Sequence, residues 1–179
     1  VTLGLDLQGG SYVLFEAQVA GAVKDRLQGL VDEVRAALRK ARITYTGLSA
    51  SPDHVSVRVD TAKLEEARTI LRGLAQPAGA SFTGVTASDY DVRINDDGTA
   101  SLTMTAAGRE QIRSSAMSQS VEILRKRIDP DGTKEVTIQP QGANRIIVQV
   151  PGEQKPQEII RRGQTAAKLT FHMVDESVS

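Results

Sequence analysis

Four groups of residues in this 179-residue chain are of types and spacings that could do chemistry. The first is the glycine-rich run Gly4-Leu5-Asp6-Leu7-Gln8-Gly9-Gly10. A loop of this kind can cradle a phosphate when a helix begins directly behind it, because the free N–H groups at the helix start meet the anion. Here the glycine pair runs instead into the β-like stretch SYVLFEAQV (11–19), and the first helical pattern starts more than ten residues later. That order argues against a nucleotide site. The glycines read as a turn or bulge where a side chain would collide.

The second group, Asp129-Pro130-Asp131-Gly132 and Asn95-Asp96-Asp97-Gly98, resembles the opening of a calcium loop. Such a loop needs a glutamate at its twelfth position, and neither run continues to one. Both fall where the chain has to turn, and Asp, Asn and Gly are turn residues in their own right. The third group is the two histidines, His54 and His172, far apart on different predicted strands; they make neither a metal site nor a triad. The fourth is Ser114, Ser115, Ser118 and Ser120 on one predicted helix, with no G-x-S-x-G elbow around any of them. With no cysteine, disulfides, thiolate metal sites and a thiol nucleophile are excluded. No catalytic constellation emerges, and the residues call for no cofactor and no metal; the chain reads as a binding or mechanical module, not an enzyme.

Bulk properties narrow the partners. Twenty-two basic residues balance 22 acidic ones, so the electrostatic footprint of a nucleic-acid binder is missing. Aromatics are 3% of the chain, too few for a base-stacking platform. No apolar run approaches the roughly 18 residues that cross a bilayer, and no signal peptide is evident. The first residue is Val rather than Met, which fits an excised piece or a processed product.

The elements that must position these residues come in two similar sets. A strand at 11–19 precedes a helix at 23–40, where Val23, Leu27, Leu30, Val34 and Leu38 recur at three- and four-residue steps and share a face. Two strands, 43–50 and 54–60, follow; Val55, Val57 and Val59 alternate with polar residues, so one face is buried. A helix at 62–74, with Thr61 as N-cap, and a strand ASFTGVTA (80–87) complete βαββαβ. The second set has strands DVRI and TASLTMT around Asn95–Gly98, a long helix at 107–127 and strands EVTIQPQ and NRIIVQV hinged at Gly142-Ala143. A short helix at 156–162 and a strand AAKLTFHMV, with Leu169, Phe171 and Met173 inward, close it. The offset of about 90 residues suggests a duplicated split βαβ unit. The expected fold is therefore α+β: two tandem ferredoxin-like βαββαβ units with antiparallel sheets, 1–88 (including GLDLQGG) and 89–179, each with two helices on one sheet face.

Three segments in this order resemble the SecD family, subunits of the bacterial protein translocase. They are GLDLQGG opening a strand, ILRKRID ending the long helix, and QPQGANRIIVQVPG forming the second hairpin. The matching positions are Gly4, Leu5, Asp6, Leu7, Gly9 and Gly10; Leu124, Arg125 and Arg127; then Gln139, Gln141, Gly142, Arg145, Ile146, Val148, Pro151 and Gly152. One local departure is Pro130-Asp131-Gly132-Thr133, where the family usually has a short L-G-V turn.

The resemblance implies a periplasmic domain on the outer side of the bacterial inner membrane, held there by membrane segments absent from this chain. Its implied partners are SecF, the SecYEG channel and the unfolded preprotein, whose export the family assists with the proton-motive force. The implied work is substrate contact and transmission of movement. It assigns structural roles to Gly4, Asp6, Gly9, Gly10, Arg125, Arg127, Gln141, Gly142, Arg145, Pro151 and Gly152, and it implies no cofactor. The alternative reading of the residues is a regulatory module that binds a small ligand between its paired units.

Overall fold

The computed structural model describes residues 11–75, 88–151, 156–164 and 169–172. The elements run β1 (Ser11–Ala17), α1 (Val19–Lys40), β2 (Tyr45–Ala50), β3 (His54–Val59), α2 (Leu64–Gly73), β4 (Tyr90–Ile94) and β5 (Thr99–Met104). They continue with α3 (Ala106–Ile128), β6 (Thr137–Gln141), β7 (Arg145–Val150), α4 (Pro156–Gln164) and β8 (Leu169–His172). The α+β class and the two antiparallel sheets are as expected, and α1 begins four residues earlier than its apolar stripe. The strand expected at 80–87, the GLDLQGG run, Gly152, Met173 and the side chains of β8 lie outside what is described.

The sheets do not divide at 88/89. One has the order β6-β7-β1-β8 and the other β2-β3-β5-β4, both antiparallel throughout. The first strand of each expected repeat has thus joined the other repeat's sheet. The compact units are accordingly 1–19 with 113–179, and 20–112. Apolar alternation fixes which face of a strand is buried but not which sheet it joins, and consecutive elements are neighbours only about two-thirds of the time.

The discontinuous unit packs α3 and α4 on one face of its sheet. Val13, Phe15 and Ala17 of β1, Ile146 and Val148 of β7, and Leu124 and Ile128 of α3 are at most 2% exposed. In β1 the inward set is therefore Val13, Phe15 and Ala17, while Tyr12 faces away from this core and is exposed. Each fully buried Leu, Ile or Phe is worth about 1.5–3 kcal/mol.

The continuous unit buries the whole expected α1 stripe, together with Val31, and likewise Val55, Val57 and Val59 of β3. At the start of α2, Asp60 rather than Thr61 is the cap. Its carboxylate accepts from the Ala62 N–H at 3.0 Å and opens a single 3-10 turn, Thr61–Lys63, before the α-helix. Lys63 Nζ reaches back to the carbonyls of Ala41 and Arg42, both at 3.3 Å, just past the end of α1. Edge strand β2 carries a bulge between Thr46 and Ser49, with Gly47 at φ 64° in the left-handed region. Such a bulge spoils the edge as a template for further strands.

Candidate interaction surface

The turn motifs satisfy themselves. In the β4–β5 hairpin Gly98 N–H donates to Asn95 O at 3.1 Å, and the Asp97 carboxylate accepts from Thr99 N at 3.0 Å and Thr99 Oγ1 at 2.6 Å. Those hydrogen bonds hold the Asp97 carboxyl below its ordinary pKa. After α3, Asp129 accepts from the N–H groups of Thr133 and Lys134, and Gly132 sits at φ 64°. Among the described residues no group of three or more His, Cys, Asp and Glu is placed to hold a metal.

His54 Nδ1 lies 2.6 Å from Asp53 Oδ1, and that contact is the main cause lowering the Asp53 pKa. The pair sits where the chain turns into β3, and among the described residues no hydrogen bond joins a third side chain to it. Of the four serines on α3 only Ser120 is buried, at 7% exposure. Tyr90 is buried with Arg26 stacked 5.5 Å from its ring centroid, and burial pushes its phenol pKa up.

Two open recesses are lined by described residues. One of 380 Å³ lies against α3 and Pro140, lined by Arg113, Met117 and Val121. The other, of 360 Å³, is lined by Thr44, Arg58, Asp60 and Asp97, whose two carboxylates are spent on the turn hydrogen bonds above. Neither gathers unpartnered polar groups around a ligand-sized space.

The remaining candidates are the residues of the second hairpin, and their geometry is orderly. Gly142 forms its turn at φ 67°. Ile146 and Val148 point into the core with Ile138, and Leu124 meets the same core from α3. Gln139, Gln141 and Arg145 occupy the alternate positions on the opposite, open face. Cross-strand register builds three rows there: Thr137–Gln149–Tyr12, Gln139–Ile147–Leu14 and Gln141–Arg145–Glu16.

Within these rows Gln149 Nε2 donates to Tyr12 Oη at 3.1 Å, and from the adjoining turn Asn144 Nδ2 donates to Glu16 Oε1 at 2.9 Å. Tyr12 is 49% exposed, one of two large apolar side chains so exposed among the described residues, while Leu14 and Ile147 are half-buried. Pairing with β1 thus adds Tyr12, Leu14 and Glu16 to the surface, which the motif alone did not single out. Strict period-two alternation along 11–17 is the signal that marks them.

Arg125 and Arg127 are exposed in the last turn of α3, where positive charge suits the helix dipole, and Pro151 is half-buried just after β7. Gly4, Asp6, Gly9, Gly10 and Gly152 lie outside the described residues. The structure therefore brings Gln141, Gly142 and Arg145 together on one hairpin, with Arg125 and Arg127 on the helix that packs beneath the same sheet.

Comparison with known proteins follows the same residues. Residues 117–176 match the family described as Protein translocase subunit SecDF, P1 domain, N-terminal. The chain is 36% identical over all of its length to the protein translocase subunit SecD of Rhodobacter capsulatus, covering 33% of that protein. It is 34% identical over 99% of its length to SecD of Acetobacter pasteurianus, again 33% of that protein, and 31% identical over its whole length to SecD of Rickettsia conorii, 32% of that protein. The chain spans about a third of the length of the curated relatives it matches. No helix among the described residues is long and apolar enough to cross a membrane. The chain belongs to the SecD family of protein translocase subunits.

Proposed function

We propose that this chain works on the periplasmic side of the bacterial inner membrane, beside the SecYEG channel and SecF, in export driven by the proton-motive force. It contacts unfolded preprotein and passes movement between the substrate and the membrane part of the subunit, with no catalytic step and no cofactor of its own. The observation that carries this reading is the placement of Gln139, Gln141 and Arg145 with Tyr12 on one open sheet face. A flat face with an exposed aromatic, half-buried aliphatics and amide groups suits weak, sequence-tolerant contact with an extended chain. It offers no enclosed space to a small molecule.

The test uses the full-length subunit in cells depleted of the native copy. Tyr12→Ala combined with Gln139→Ala and Arg145→Ala removes the face without touching the core. Precursor processing measured by pulse-chase is expected to slow at unchanged subunit level. Processing at the native rate would overturn the assignment of this face.

A further inference from the structure

We infer that residues 20–112 are an independently folding module inserted into a second, discontinuous domain built from β1 and residues 113–179. Taken in chain order, the elements of the discontinuous domain are β1, α3, β6, β7, α4 and β8, and its sheet order is β6-β7-β1-β8. That is a complete split βαβ pair, with the first and third strands central and the second and fourth at the edges. No strand from 20–112 is needed to close it. Its buried cluster likewise draws only on residues of β1 and of the stretch from Met117 to Ile160.

The module closes its own sheet in a permuted way. In the order β2-β3-β5-β4, β5 fills the central place that β1 fills in the other sheet. The strand that a ferredoxin-like unit normally carries first is here carried last. A unit permuted in this manner has its sheet complete before the chain moves on.

The chain also leaves and re-enters the discontinuous domain at one spot. Ala17 N–H, at the end of β1, donates to Asn144 O at 2.7 Å, and Arg113 Nη1 donates to the adjacent Ala143 O at 2.6 Å. An arginine side chain reaches only about 7 Å, so the outgoing and incoming backbones are anchored on the same β6–β7 turn. Neighbouring exit and entry points at a surface turn are the geometry that tolerates insertion of a domain. The residues matched by the translocase family, 117–176, fall wholly within the discontinuous domain. The consequence is specific: β1 shares its stability with residues a hundred positions away, not with α1, which follows it directly.

Segment-resolved hydrogen exchange on the intact chain tests this, with one core lesion in each unit. Leu30→Ala in α1 should speed exchange of the most protected amides in 20–105 by about 30-fold or more, the rate equivalent of a buried leucine truncation. Protection of β1, β6 and β7 should stay within about threefold. Ile146→Ala should do the reverse and take β1 with it. If Leu30→Ala leaves the module wholly unfolded, retained protection of β1, β6 and β7 still supports the insertion. Loss of that protection, or β1 responding to Leu30→Ala alone, overturns it.

Discussion

The backbone of Gly163 in α4 lies against the ring of Phe15 in β1, so closely that a Cβ added at 163 would fall 2.6 Å from Phe15 Cζ. Phe15 is fully buried and cannot retreat. Overpacking of this kind costs about 1–3 kcal/mol, and the better helix propensity of alanine returns at most about 1 kcal/mol. Gly163→Ala is therefore expected to lower stability by up to about 2 kcal/mol. Gly73→Ala, whose Cβ would meet nothing within 4 Å, is expected to be neutral or mildly stabilising. Urea midpoints of the two variants check the contrast; equal shifts would remove the close contact as the cause.

Gly98 meets two constraints at once. Its φ is 92°, and a Cβ there would collide with the backbone carbonyl of Val59, whose own N–H donates to Gly98 O at 2.8 Å. Neither partner is the end of a flexible side chain. Gly98→Ala should cost about 2–4 kcal/mol, from left-handed strain plus displacement of a strand end. Chemical denaturation measures it, and a cost below that of Gly163→Ala would show that the hairpin yields easily.

The start of α3 depends on one hydroxyl. Thr105 Oγ1 accepts from Gly108 N–H at 3.0 Å and donates to Ser88 O at 2.6 Å, joining the helix start to the approach to β4. Thr105→Ala should cost about 1–2 kcal/mol as a lost N-cap, while Thr105→Ser should keep most of it. If both variants are equally unstable, packing of the threonine methyl is the larger factor.

Much of this was legible in the sequence. All five residues read as the α1 stripe are buried, as are Val55, Val57 and Val59, because period and apolarity report burial directly. What could not be read was the partner of β1 and β5. A strand with one apolar face fits any sheet with a matching edge, so a duplicated βαββαβ pattern is equally consistent with tandem and interleaved pairing. The cap before α2 was misplaced by one residue for a related reason: Asp60 ends a strand and opens a helix in the same position. The Gln139, Gln141 and Arg145 side chains were visible as a motif, but their common face with Tyr12 and Glu16 appears only once β1 is laid beside β7.

Acid sensitivity should have a local component at Asp97. Its hydrogen bonds from Thr99 favour the charged carboxylate, so its pKa is lower in the folded state than in the unfolded chain. The stability this contributes is present above the ordinary Asp value of about 4 and is lost as pH falls through the folded value below it. The stability gap between the native chain and Asp97→Asn is therefore expected to narrow as pH is lowered from about 6 to about 3. Urea midpoints across that range check it, and a gap independent of pH would mean the carboxylate charge is not what stabilises the turn.

The central claim is that the open face of the β6-β7-β1-β8 sheet touches the substrate. The most direct measurement places a photoreactive amino acid at Tyr12, Gln139 or Arg145 of the full-length subunit, with Arg58 on the other sheet as the comparison site, and irradiates membranes holding a stalled preprotein. The account expects preprotein adducts at the first three positions and few at Arg58. Adducts at Arg58 alone, or none at any of the three face positions while the preprotein crosslinks elsewhere on the subunit, would contradict it.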